Sequence, residues 1–89
     1  MKIKLELFGA SRDFSNKDYL EFSLKEKSSI KDLRTEILNF VENNFKGNDN
    51  YKKLVQSSVF CSEENNIVSD DYKITKEQNI GIIPPIGGG

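Results

Sequence analysis

The six residues Pro84-Pro85-Ile86-Gly87-Gly88-Gly89 set two opposite kinds of backbone side by side. Proline lacks an N–H and fixes φ, so the pair stops a preceding strand and favours an extended, stiff stem. Glycine has no Cβ, so three in a row make a thread narrow enough for a channel that excludes other residues. The Gly89 carboxylate at the end of that thread is the candidate reactive group. It is ionised at neutral pH and a poor electrophile, so its chemistry would be activation followed by nucleophilic attack. The bland alternative is a linker, because glycine-rich ends are often just that. Against it, Ile80-Gly81-Ile82-Ile83 reads as a short buried strand that meets the prolines with no polar spacer.

The remaining side chains offer little other chemistry. The chain has no histidine and one cysteine, Cys61. Triads that need a histidine base, zinc sites and four-cysteine iron–sulfur ligation are therefore not expected. A single cysteine forms no internal disulfide, which fits a reducing compartment. Cys61 reads as a strand thiol more readily than as a nucleophile, since no evident basic pocket would activate it. With 89 residues the chain is expected to be one domain with one modest core, so its chemistry would need a partner. Thirteen basic and fourteen acidic residues give a net charge of −1, with no basic run longer than two, and nucleic-acid binding is not suggested. No apolar run approaches a bilayer span and Met1-Lys2-Ile3-Lys4 alternates, so the expected location is the cytoplasm, with no membrane partner.

The elements that must position the tail follow from periodicity. Ile3, Leu5 and Leu7 alternate with Lys4, Glu6 and Phe8, which predicts a strand with one face on a core. Phe8 breaks the alternation by following Leu7, and is predicted to face away from that core. Gly9-Ala10-Ser11 ends this strand. Leu20, Phe22 and Leu24 predict a second strand returning antiparallel. Ser29 and Asp32 have the spacing of a capping box, and Ile30, Leu33, Ile37, Phe40, Val41 and Phe45 continue as the apolar stripe of a helix that ends near Gly47. Asn48-Asp49-Asn50 reads as a polar loop. Leu54, Val55 and Val59 to Cys61 predict a third strand centred on its last three residues, and Ile67-Val68 a fourth after the turn Glu63 to Asn66. Ser69 to Tyr72 reads as a turn, Ile74 as an isolated core residue, and Glu77-Gln78-Asn79 as the turn before the last strand.

A hairpin, one main helix and further strands predict a two-layer α+β domain over 1–83, with the helix across a small mixed sheet, and a flexible tail over 84–89. If the first and last strands pair, the tail leaves from the sheet's edge. That arrangement is the β-grasp, or ubiquitin-like, fold.

With these elements in place the chain resembles the ubiquitin-like sulfur carriers of the MoaD/ThiS family, most closely the small-subunit branch of molybdopterin synthase. The resemblance spans nearly the whole chain. It is carried by Phe8-Gly9-Ala10-Ser11-Arg12-Asp13, by the capped helix with Leu33-Arg34, by Ile80 to Ile83 as last strand, and above all by Pro84 to Gly89. The family's tail typically reads Pro-Pro-Val-any-Gly-Gly; here Ile86 stands for Val and Gly87 fills the variable place. The chain departs from the family at Glu77-Gln78-Asn79, where an acidic Gly-Asp turn is usual, and at Cys61-Ser62, where Val-Asn is common.

The resemblance implies a mechanism in which an ATP-dependent activating enzyme adenylates Gly89 and a persulfide from a desulfurase- or rhodanese-type donor displaces AMP, leaving a thiocarboxylate. The carrier would then dock on the large synthase subunit and thread Gly87, Gly88 and Gly89 into its active site, where sulfur is transferred to cyclic pyranopterin monophosphate. Catalytic side chains would belong to the partners, no cofactor would be bound by the chain itself, and ATP would be used by the activating enzyme. Phe8, Ile67 and Ile83 would form an apolar docking patch with Arg12 as a polar anchor, Pro84 and Pro85 would fix the tail's exit, and both prolines with Ile86, Gly87 and Gly88 would contact the partner. Read as residues alone, Phe8, Ile67 and Ile83 could equally be ordinary sheet positions, and Arg12 could pair with Asp13 or Glu6 on the surface. Sulfur delivery to another pathway (thiamine thiazole or tRNA thiolation), conjugation to lysines as a protein modifier, and a plain binding module are the alternatives.

Overall fold

The computed structural model describes residues 1–85. Its elements in chain order are β1 (Lys2–Leu7), a 3-10 helix (Gly9–Phe14), β2 (Tyr19–Ser23), α1 (Ile30–Asn44), α2 (Asp49–Ser57), β3 (Val59–Cys61), β4 (Ile67–Val68) and β5 (Gln78–Ile83). The five strands form one sheet in the order β2-β1-β5-β3-β4. β1 and β5 run parallel, and every other pair is antiparallel. This is the small mixed sheet under one main helix that the sequence predicts.

Period-two alternation assigns the faces. Ile3, Leu5 and Leu7 of β1 lie beside Gln78, Ile80 and Ile82 of β5, and Phe60 of β3 lies beside Ile82. Together with Ile30, Leu33, Ile37 and Val41 from α1 they form the buried core. Each such aliphatic side chain stabilises the fold by about 1.5–3 kcal/mol on burial. Ile74, the predicted isolated core residue, is buried among them.

α1 begins where the capping box predicts. The Ser29 hydroxyl accepts from the Asp32 N–H at 3.3 Å, and the Asp32 carboxylate accepts from the Ser29 N–H at 2.8 Å. The next free N–H groups of the first turn, on Ile30 and Lys31, donate to the carbonyls of Tyr72 and Asp70. The helix stops at Asn44, and Gly47, at φ +66°, turns the chain.

Four expectations need correction. Leu54 and Val55 are helical, not part of the third strand, which is confined to Val59–Cys61. Asn48-Asp49-Asn50 is no open loop either: Asn48 caps α2 by accepting the Tyr51 N–H at 3.1 Å, and Tyr51, Leu54 and Val55 then fall on one face at helical spacing. Gln78 and Asn79 are already strand, because their pairing with Ile3 and Lys4 extends the parallel ladder. Finally, β5 is the middle strand, so Pro84 leaves from the centre of one sheet end, not from an edge.

Two clusters fix α2. Phe14 packs edge-on against Phe40 and Tyr51, with centroids 6.4 and 5.2 Å away, joining the 3-10 helix to α1 and α2. At the other end of α2, Nη1 of Arg34 donates to the carbonyls of Val55, Gln56 and Ser58 at 2.7, 3.1 and 2.9 Å. Nη2 donates to Asp70 at 2.7 Å, and the guanidinium sits 4.9 Å from the Phe60 ring centroid. One planar fork thus satisfies the terminal carbonyls of α2 and ties it to α1, β3 and the segment after β4.

Candidate functional site

The sheet face turned away from α1 is read directly from the ladder. One row across it holds Tyr19, Glu6, Gly81, Cys61 and Ile67; the next, toward the C-terminal end of β5, holds Ile83 and Val59, with Phe8 just past the end of β1. Phe8, Val59 and Ile67 are 47%, 45% and 63% exposed, the large apolar side chains most open to solvent among the described residues. Scattered singly they would need no explanation, but contiguous they mark a surface for a partner. Beside Phe8 lies a shallow cavity of about 350 Å³ lined by Glu6, Phe8, Cys61, Ser62, Asn65, Gly81 and Ile83.

Phe8 is held outward by a built corner. It has extended backbone (φ −118°, ψ 152°) and precedes Gly9 at φ +57°, a conformation that glycine adopts without strain. The buried Ser11 locks the corner by donating its hydroxyl to the Phe8 carbonyl at 2.6 Å. The ring then lies against the bare backbone of Gly81: a Cβ there would be 2.8 Å from Phe8 Cε2. Gly81 is thus the seat of the aromatic side chain.

The same corner meets the tail exit. Pro84 is buried and packs beside Gly9, whose Cβ, if present, would lie 3.7 Å from Pro84 Cδ. Pro85 is exposed. Both prolines border a second concavity of about 320 Å³ formed with Ala10, Asn50, Lys53, Leu54 and Ser57. Pro84 is therefore a wedge between the 3-10 helix and α2, and Pro85 beyond it is exposed. Ile86, Gly87, Gly88 and Gly89, assigned above to the tail and its reactive end, lie outside the described residues.

The structure brings Phe8 and Ile83 together at the cavity and places Ile67 on the same face, next to Cys61. Arg12 is not brought in. It pairs with Asp18 at 3.2 Å on the surface, both side chains largely exposed, and not with Asp13 or Glu6. Sequence reasoning missed Val59, Cys61 and Gly81 as members of the patch. Their signal was present only as register, because Val59 pairs with Ile83, Gly81 with Glu6, and Cys61 with Gly81 and Ile67, between segments apart in the chain. Cys61 is half-buried on this open face. Among the described residues no cluster of three metal-ligating side chains occurs, and no helix is long and apolar enough to cross a membrane.

No protein-family model matches the chain, and no curated protein matches it by sequence. Solved structures do. A "Putative molybdopterin converting factor, subunit 1" from Pyrococcus furiosus superposes with a TM-score of 0.70 and 25% identity, covering 96% of this chain and 98% of that one. SAMP1 from Haloferax volcanii matches with a TM-score of 0.70 and 12% identity over 100% of both chains. A Caldiarchaeum subterraneum ubiquitin matches with a TM-score of 0.62 and 16% identity, covering 100% of this chain and 98% of that one. The latter two bear on the fold alone, which is β-grasp. The Pyrococcus furiosus protein bears out the resemblance to the MoaD-like, ubiquitin-like sulfur carriers.

Proposed function

We propose that this chain is a sulfur carrier acting as the small subunit of a molybdopterin synthase, bearing sulfur as a thiocarboxylate on Gly89. The observation that carries the reading is the junction at the end of β5. Ile83 belongs to the exposed apolar patch, and the next residue, Pro84, is the buried wedge from which the chain departs. A partner seated on Phe8, Ile67 and Ile83 therefore meets Pro85, the residue before the glycine-rich end, at a fixed point on its own surface. The likeness to the Pyrococcus furiosus protein supports the choice of pathway.

In this reading a carboxylate oxygen of Gly89 attacks the α-phosphorus of ATP, releasing pyrophosphate and giving an acyl-adenylate. A persulfide from the sulfur donor displaces AMP to give an acyl disulfide. Reductive cleavage of that S–S bond by a thiol leaves the thiocarboxylate. Gly87 and Gly88 provide passage through the narrow active site of the large subunit, and the sulfur is delivered there to cyclic pyranopterin monophosphate. No side chain of this domain takes part in bond making.

The test is the intact mass of the chain after incubation with ATP, an adenylating enzyme, a persulfide donor and a reducing thiol. One oxygen exchanged for sulfur at Gly89, absent when Gly89 is deleted, is the expected result. Absence of exchange alongside high-mass lysine conjugates would replace this reading with that of a protein modifier.

A further inference from the structure

Three carboxylates stand around the docking patch. Glu6 lines the cavity itself, and Glu63 and Glu64 stand exposed in the turn between β3 and β4, beside Asn65 of the cavity wall. Glu63 also accepts the Asn79 N–H at 3.0 Å, which holds that turn against the start of β5. None of the three is in an ion pair among the described residues. Of the nearby cations, Lys2 and Lys4 border a separate concavity with Glu63, Lys4 placing its Nζ 4.3 Å from the Tyr19 ring centroid, and Arg12 is matched by Asp18. No Lys or Arg lines the cavity among the described residues.

We infer that the patch is read by a partner protein whose contact surface has an apolar centre, for Phe8, Ile83, Val59 and Ile67, and a cationic rim of Lys or Arg side chains facing Glu6, Glu63 and Glu64. This rests on the docking role proposed above and adds the chemistry of the partner. A second copy of the chain is disfavoured by the same charges, because a two-fold contact through this patch would set the acidic rim against itself. The apolar area alone is small, whereas stable protein contacts bury on the order of 1,000 Å² or more, so the interface has to extend over the rim. Complementary rim charges act mainly on the association rate and on partner choice.

The experiment uses the full chain with the molybdopterin synthase large subunit encoded in the same genome. Association is followed at low and high ionic strength for the native chain, Glu6→Lys, Glu64→Lys and the charge-matched control Glu26→Lys, in the turn after β2. Alkylation of Cys61 reports whether the patch is covered. The expected result is Cys61 protection in the complex, association slowed about tenfold at low salt by Glu6→Lys and Glu64→Lys but not by Glu26→Lys, and loss of that difference at high salt. Both reversed positions are exposed, and agreement between two sites guards against a local fold defect in one. A complex that protects Cys61 yet is indifferent to either reversal overturns this inference and leaves the docking role standing. Absence of any complex overturns both, while the thiocarboxylate test above is unaffected. Self-association that protects Cys61 without the large subunit also overturns it.

Discussion

β1, β5 and β3 carry two apolar surfaces, one on each face of the sheet, made from alternate residues of the same strands. On the covered face Leu5, Ile80, Ile82 and Phe60 are fully buried under α1. On the open face Phe8, Ile83, Val59 and Ile67 continue the apolar character where nothing in the chain covers them among the described residues. The other half of the open face shows what a merely solvated surface looks like in this protein: Lys4, Glu21 and Asn79 lie side by side there. The fold accounts for the first apolar surface and not for the second. Stability and docking should therefore separate between neighbouring residues of a single strand.

Ile82 and Ile83 put that separation at its sharpest, being adjacent in β5 and on opposite faces. Ile82→Ala removes a fully buried side chain between Leu7 and Phe60 and should cost about 2–5 kcal/mol, read from the midpoint of urea unfolding at constant slope. Ile83→Ala, at a half-buried position, should cost less than about 1.5 kcal/mol while weakening binding to the proposed large-subunit partner by about tenfold. Equal losses of stability at the two positions would break the distinction between the faces.

Gly81 tests whether the open face is built or incidental. A methyl group added there meets the far end of the Phe8 side chain, which can swing away, so Gly81→Ala should change stability by less than about 1 kcal/mol. Its expected effect is on docking, because the ring loses its seat. In a double-mutant cycle with Phe8→Ala, the binding loss from Gly81→Ala should vanish, since the displaced ring is already gone. Additive losses would mean that Gly81 acts on the partner by some route other than Phe8.

How much of this was legible in the sequence follows the range of each interaction. Ile3, Leu5 and Leu7 declare a strand by local alternation, and Ser29 with Asp32 declare a helix start by spacing, and both lie where they were placed. Phe8 broke the alternation and lies on the open face for that reason. α2 was not legible because Asn48, Asp49 and Asn50 have the composition of a turn, and only the Asn48 cap and the docking of Tyr51 against Phe14 decide for a helix. The 3-10 helix was missed for a similar reason: Phe14 is buried by an aromatic cluster drawn from segments 26 or more residues away. Val59, Cys61 and Gly81 join the patch only through strand register, which one strand's pattern does not contain.

A finer separation of the faces comes from pH, because Asp32, on the helix side, has a lowered pKa. Asp32 is held below the ordinary aspartate value of 3.8, first by the hydrogen bond from the Ser29 N–H and then by that from the Ser29 hydroxyl, with burial opposing. A folded value below the unfolded one means that the ionised carboxylate favours the folded state. That contribution is fully present above the unfolded value and is lost as pH falls through the lowered folded value. Asp32→Asn keeps the size and one acceptor but does not titrate, so the native chain should be the more stable at about pH 7 and the gap should narrow as pH falls through the lowered folded value. Unfolding midpoints of the two chains across that range measure it, and a gap constant with pH would show that the charge of Asp32 contributes nothing to the cap. Since Asp32 caps the helix on the far side of the sheet, the variant should leave the alkylation rate of Cys61 unchanged wherever both chains are folded. A change in that rate would mean that loosening the start of α1 is felt on the docking face, and the two surfaces would then be coupled through the sheet instead of divided by it.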